Sequence, residues 1–251
     1  MSVERVGIAE VESTVNATIK LSIKSDEGTT FFETGWYHPY MGSSEEKGFL
    51  FGEIMKTILV YGDSNTWGQT SDDSRYQTDE RWTSVLKKSL GEEYEVVSAG
   101  LSGRIAGSYE IVEPIKRGKD SFEVIYRQAF PIDLLIISLG TNDIKDRYDI
   151  SAEDISQDLL WYSEKVKEWK DYKERDLSPQ ILYILPANFD EMKFSGSVAK
   201  KRQIIQILQS LNREFIVPEN IDVSEDGVHF SAKGHLQMAN IVSNKLKEMN
   251  I

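Results

Sequence analysis

The sequence predicts an α/β domain whose mostly parallel sheet carries helices on both faces. Two observations predict it. From about Met55 onward, short apolar runs alternate with stretches of helical periodicity. The runs are also apolar throughout, as strands covered on both faces must be.

Taken in order, Ile58-Leu59-Val60-Tyr61 reads as a buried strand ending at Gly62. Thr78 or Asp79 is a candidate cap for a helix with Trp82, Val85, Leu86 and Leu90 on one face and Gly91 as its stop. Glu95-Val96-Val97 is a second strand. A helix capped by Asp120 or Ser121 carries Phe122, Ile125, Tyr126 and Ala129 and closes at Pro131. Leu134 to Leu139 is the clearest buried strand. Ser151 with Asp154 resembles a capping box opening a long helix with Ile155, Leu159, Tyr162, Val166 and Trp169 at helical spacing. Ile181 to Leu185 is a fourth strand, ended by Pro186. A helix over Val198 to Leu211, a short strand at Phe215-Ile216-Val217 and a helix from Ser231 to Lys247 complete the pattern. Ligands in such sheets bind at the carboxyl ends of the strands.

Residues 1–54 read differently, as an N-terminal extension. Val15 to Ile23 alternates apolar and polar, and Asp26-Glu27-Gly28 turns it into a β-hairpin with Thr29 to Phe32. Gly35 to Gly52 is loop-like. Three readings stand side by side: a hairpin packed on the domain or on a partner subunit, a flexible tail, and an extension without a role.

Composition narrows the function classes. The 251 residues are 40% hydrophobic and 28% charged, ordinary for a soluble globular chain. Net charge is −12, which disfavours nucleic acid and anionic membrane as partners, although an acidic surface also simply keeps a protein soluble. No run approaches the roughly 18 apolar residues that span a bilayer, and no secretory signal is visible at Met1-Ser2-Val3-Glu4-Arg5. There is no cysteine, which removes thiol nucleophiles, disulfides and Cys-ligated metals and fits a cytoplasmic location.

Four short segments carry the chemistry: Gly62-Asp63-Ser64-Asn65, Ser102-Gly103, Gly140-Thr141-Asn142-Asp143 and Asp226-Gly227-Val228-His229. Three of them follow strand-like runs. Ser64 sits in a turn after the first strand, where its hydroxyl can face the crevice and act as nucleophile once a base takes its proton; alone, it reads more readily as a helix cap, because serines at strand-to-helix turns are common. His229 is one of three histidines, and Asp226 precedes it by three residues, a spacing that lets the carboxylate fix one ring nitrogen while the other faces outward. The bland alternative is a polar loop before a helix capped by Ser231. His235, early in that helix, reads as structural, and His38 receives no role. Three candidate donors converge on a developing oxyanion: the N–H groups of Ser64 and Gly103 and the side-chain amide of Asn142. Taken individually, Gly103 reads as a loop-shaping glycine and Asn142 as a helix cap.

As a set, these segments resemble the SGNH hydrolases, also called the GDSL esterase/lipase family. Each segment matches one family block, and the resemblance covers about residues 55 to 251. Gly-Asp-Ser-Asn-Thr-Trp-Gly at 62–68, with Glu80-Arg81-Trp82 and Val85-Leu86, is similar to the arylesterase and acyltransferase branch. The resemblance implies a flavodoxin-like three-layer α/β/α sandwich with a five-stranded parallel sheet. It implies Ser64, Asp226 and His229 as a catalytic triad, and Ser64, Gly103 and Asn142 as the oxyanion hole. Asn65 departs from the leucine of the name-giving motif, a difference expected not to touch the chemistry. Trp67 is a candidate for the acyl or alcohol pocket, with core packing as the alternative.

The expected activity is hydrolysis of small carboxylic esters through an acyl-enzyme, with transfer to alcohols as a variant and no metal or organic cofactor. Sugar deacetylation and thioester cleavage use the same machinery. A non-catalytic binding module is the rival of another class. A nucleotide or flavin binder finds no Gly-rich phosphate loop after the first strand. The expected partner is a small-molecule ester, and a homo-oligomer assembled through the extension is a further expectation.

Overall fold

Alternation within single strands builds the two faces of the sheet. The computed structural model describes residues 20–25, 28–33, 55–169, 178–187 and 194–251. In β3 (Lys56–Gly62), Leu59 and Tyr61 point to one face while Ile58 and Val60 point to the other. In β5 (Leu134–Ser138), Leu135 and Ile137 share the first face, and Leu134 and Ile136 the second. Both sets are wholly buried, which is why these strands read as unbroken apolar runs.

The remaining strands are β4 (Tyr94–Gly100), β6 (Gln180–Ile184) and β7 (Phe215–Ile216). All pairings are parallel, in the order β4-β3-β5-β6-β7. This is the doubly wound arrangement in which the first strand of the sheet lies between the second and third. On one face, α3 (Gly118–Ala129), α4 (Ala152–Glu168) and α5 (Ser197–Ser210) contribute Phe122, Tyr126, Ile155, Leu159, Tyr162, Ile204 and Leu208. On the other, α2 (Trp82–Leu90) and α6 (Ala232–Glu248) contribute Trp82, Leu86, Met238, Val242 and Leu246. The result is the expected three-layer α/β/α sandwich on a five-stranded sheet. A single turn, α1 (Ser64–Trp67), follows β3 directly.

Helix starts differ in detail from expectation. Ser151 and Ser231 cap α4 and α6 as read, each accepting a backbone N–H three residues on. Neither Thr78 nor Asp79 caps α2. They lie in a separate 3₁₀ turn (Thr78–Glu80) that is closed by a Gln77–Glu80 box, and α2 begins after Arg81 with no side-chain cap. Helix α3 likewise begins at Gly118, so Asp120 falls in its first turn, where its charge suits the helix dipole. The second strand extends to Gly100, well beyond Val97.

By contacts the chain divides into two units, Met1–Leu50 and Phe51–Ile251. In the first, β1 (Lys20–Ser25) and β2 (Gly28–Glu33) pair antiparallel, with Lys20 opposite Glu33 and Ser25 opposite Gly28. The loop expected over Gly35 to Gly52, and His38 within it, lie outside the described residues. No helix among the described residues is long and apolar enough to cross a membrane.

The end of β4 is crowded by α1. A side chain added at Gly100 would place its first carbon 2.2 Å from the Trp67 nitrogen and 2.6 Å from the Thr66 carbonyl carbon, both backbone atoms. Gly100→Ala should therefore destabilise by about 1–3 kcal/mol or more, the usual range for overpacking. That is a fall of roughly 2–12 °C in melting temperature for a domain of this size, readable by thermal unfolding. An unchanged melting temperature would mean that α1 can move away without cost.

Candidate active site

Register sets the level of the first three segments. Gly62 at the end of β3 pairs with Gly100 of β4 and Ser138 of β5. The chain leaving each strand therefore emerges at one edge of the sheet, over its carboxyl end. Ser64 opens α1 one residue after Asp63, whose carboxylate caps the turn by accepting the Asn65 N–H at 3.0 Å. Gly103 follows β4 in a turn with φ +76°, a left-handed conformation that favours glycine. Asn142 follows β5 and is 3% exposed.

His229 comes from the other end of the domain, in the loop before α6. Its Nε2 lies 3.0 Å from Ser64 Oγ, and its Nδ1 lies 2.6 Å from Asp226 Oδ2. The other oxygen of Asp226 accepts the N–H groups of Val228 at 2.9 Å and His229 at 3.0 Å. Burial works to raise the Asp226 carboxyl, but those two N–H groups and the imidazole outweigh it and hold it below the ordinary aspartate range. Asp226 is thus an anion that orients one ring nitrogen and leaves the other facing Ser64. Among the described residues, the N–H groups of Ser64 and Gly103 donate to no protein acceptor. The Asn142 amide gives one hydrogen to the Arg104 carbonyl at 2.9 Å, leaving its second donor free of that bond.

Ser64, Gly103 and Asn142 thus follow three adjacent strands at one edge of the sheet, and His229 with Asp226 joins them through its bond to Ser64. Trp67 is half-buried one turn after Ser64, with the Arg75 guanidinium 4.8 Å from its ring centre. His235 is fully buried and bonds to none of these five residues. It accepts the Trp82 N–H at 3.3 Å and packs edge-on to Tyr76 and Phe230. Among the described residues, no cluster of three or more His, Asp or Glu is arranged to hold a metal ion.

With this geometry in hand, comparison with known proteins assigns the family. The model for the GDSL-like lipase/acylhydrolase family matches residues 58–242. The chain belongs to that family. It is accordingly a serine esterase of the SGNH type. A carbohydrate acetylesterase family member from Sinorhizobium meliloti is similar in structure, at 25% identity and TM-score 0.67, over 78% of this chain and 99% of that one. The native aryl esterase of M. smegmatis is similar at 25% identity and TM-score 0.67, over 77% of this chain and 99% of that one. A search of curated proteins finds no significant match.

Asn65 is built into the site rather than standing apart from it. Its side chain is 5% exposed, donates from Nδ2 to the Val228 carbonyl at 3.2 Å and accepts the Phe230 N–H at 2.9 Å. Those two residues flank His229. The residue beside the candidate nucleophile therefore clamps the backbone on both sides of the candidate base, across 165 positions of sequence. A leucine cannot do this. Asn65→Leu should keep the fold but lower kcat by about 10- to 100-fold, because small misplacements of reacting groups cost that much. Ester assays with a melting curve check it, and full kcat in a folded variant would show the clamp to be dispensable.

Two buried titratable groups near the site pull stability in opposite directions. Burial pushes the Asp143 carboxyl up to about 7, against the Ala106 N–H that it accepts at 2.8 Å. Burial, with Arg81 and His229 nearby, takes His235 down to about 4. A raised aspartate favours folding at low pH and loses that contribution as pH climbs towards 7. A depressed histidine does the reverse: below about 6.5 the unfolded imidazole gains a proton that the folded one refuses. Between about pH 4 and 6.5 the two offset each other. Relative to wild type, Asp143→Asn should lose stability towards acid and His235→Asn should gain it. Melting temperatures across that window test both, and parallel profiles would refute the assignment.

Proposed function

We propose that the protein hydrolyses small or short-chain carboxylic esters, aryl or alkyl, through an acyl-enzyme on Ser64, with transfer of the acyl group to alcohols as a second outcome. The observation that carries this reading is the relay from Asp226 Oδ2 through His229, at 2.6 Å, to Ser64 Oγ, at 3.0 Å. In that relay His229 Nε2 takes the Ser64 proton as the oxygen attacks the ester carbonyl carbon. The carbonyl oxygen becomes an oxyanion, met by the N–H groups of Ser64 and Gly103 and the Asn142 amide. Collapse breaks the carbon–oxygen bond to the alcohol, which leaves with the proton from His229. Water, or an added alcohol, then gives its proton to His229 and attacks the acyl-enzyme. Release of the acid or new ester restores Ser64. Asp226 stays ionised throughout and stabilises the imidazolium. The alcohol and acyl groups rest against the crevice beside Trp67. The site takes a small-molecule substrate without a metal or organic cofactor.

A second reading, deacetylation of acetylated sugars on the same residues, is favoured by the likeness to the Sinorhizobium meliloti carbohydrate acetylesterase family member.

The test is a substrate panel of p-nitrophenyl acetate, butyrate and octanoate, an acetylated sugar and an acyl-CoA, each with and without added alcohol. Wild type and Ser64→Ala are compared, and a fluorophosphonate probe reports on the serine. The expected result is turnover of the shortest esters, labelling of wild type alone, and loss of turnover in the variant by about 10⁴-fold or more, as when a nucleophile of such a triad is removed. The rate should fall towards acid, because a protonated imidazole cannot accept the serine proton. Equal turnover by Ser64→Ala would overturn the reading. Preference for the acetylated sugar over every aryl ester would select the second.

A further inference from the structure

The neighbours of Asn142 allow its amide one orientation. Nδ2 donates to the Arg104 carbonyl at 2.9 Å, and Oδ1 accepts from Lys145 Nζ at 2.9 Å. A carbonyl can only accept and an ammonium can only donate. Rotating the amide by half a turn would set oxygen against oxygen and N–H against ammonium. The loop itself brings the partners together, since the Lys145 N–H bonds to the Asn142 carbonyl at 3.3 Å and closes a turn.

Lys145 is half-buried, with its ammonium 5.9 Å from the centre of the Phe194 ring. Asp63 from the cap of α1, Asp143 from its own loop and Asp226 from the loop before α6 all act on it, as does the cation Arg147. Among the described residues, none of these carboxylates forms an ion pair with it. In a chain of net charge −12, this cation is committed to a neutral amide.

We propose that Lys145 is a positioning residue that locks the Asn142 side chain with its free N–H towards the reacting carbonyl oxygen and polarises that N–H. The inference rests on the reading of Asn142 as an oxyanion donor. A cation on the amide oxygen draws electron density out of the amide and strengthens its N–H as a donor. That gain is largest when the acceptor carries charge, which favours the tetrahedral intermediate over the bound ester. The effect should appear in kcat and leave KM nearly unchanged. It also depends on the ammonium keeping its proton. Burial, reinforced by Arg147, lowers the Lys145 pKa, while Asp63, Asp226 and Asp143 act to raise it. The polarisation is therefore lost on the alkaline side at a lower pH than for an ordinary lysine.

The experiment uses the full chain and four variants: Lys145→Met, Lys145→Arg, Asn142→Ala and the double variant Asn142→Ala/Lys145→Met. For each, kcat and KM for p-nitrophenyl acetate are measured across neutral and alkaline pH, with the uncatalysed rate subtracted and folding checked by circular dichroism. Lys145→Met should lower kcat by about 10- to 100-fold, the worth of a charge-assisted hydrogen bond. In the Asn142→Ala background the same change should cost almost nothing. Lys145→Arg should keep most of kcat and move the alkaline fall to higher pH, because guanidinium stays charged.

Wild-type kcat in Lys145→Met, or an equal loss with and without Asn142, overturns the proposal. Should Lys145→Met not fold, the alkaline limb decides alone, and an unmoved limb in Lys145→Arg overturns it. The underlying reading fails separately: full kcat in Asn142→Ala removes Asn142 from the oxyanion hole and the proposal with it. A slow Asn142→Ala beside a normal Lys145→Met removes Lys145 only.

Discussion

The pairing of β3 with β4 on one side and β5 on the other is the constraint on which the site depends. Parallel strands in register end at a common level, and here Gly62, Gly100 and Ser138 share it. Ser64, Gly103 and Asn142 belong to distant parts of the sequence, yet each follows one of these strands within a few residues. No loop has to reach far to bring them together, so their relative positions inherit the rigidity of the sheet. The cost falls on the strand ends, where α1 passes so close to Gly100 that there is no room for a side chain.

Charge is then placed where the sheet edge meets the loops. Arg104 is 4% exposed, donates to the carbonyls of Gly62 and Ala99, and stacks on the Tyr61 ring at 4.1 Å. It thereby joins the ends of β3 and β4 directly behind the turn that holds Ser64. Its own carbonyl receives the Asn142 amide. One residue thus connects the ends of β3 and β4 with the loop after β5. Asp63 and Asp143, both buried, face the same region, and burial raises both carboxyls, so the site is built from groups held away from their solution behaviour. Such a cluster is costly to fold and is expected where electrostatics serve chemistry rather than stability.

Much of this was legible in the sequence, for specific reasons. Leu134 to Ser138 could be read because burial on both faces leaves an unbroken apolar signature. Ser151 and Ser231 could be read because a cap lies within three residues of the group it satisfies. The start of α2 could not, because Arg81 caps it with no side-chain bond and a separate turn uses the nearby acidic residues. The motif residues could be matched in type, but their geometry arises only from the register of the strands. The bonds of Asn65 were not legible, for the plainest physical reason. Its partners flank His229, and no local pattern shows a hydrogen bond that closes only when the last loop of the domain returns to the first.

That long-range bond shows how the candidate base, carried on a loop, is held beside the candidate nucleophile at the start of α1. The segment carrying His229 is fixed from three directions. Asp226 folds it from within through the N–H groups of Val228 and His229. Asn65 holds it from the nucleophile side. From the helix side, Ser231 caps α6 and donates to Asp222, whose N–H in turn bonds to Gln237 of that helix. The bonds from Asp226 Oδ1 and Asn65 use backbone groups at and beside His229, and the helix-side bonds hold Ser231, two residues further on. The ring nitrogens have two hydrogen-bond contacts, Asp226 on Nδ1 and Ser64 on Nε2, the pair that the proposed proton transfer uses. On the proposed reading of His229 as the base, the backbone bonds of its loop hold the segment while the ring nitrogens stay available for proton transfer.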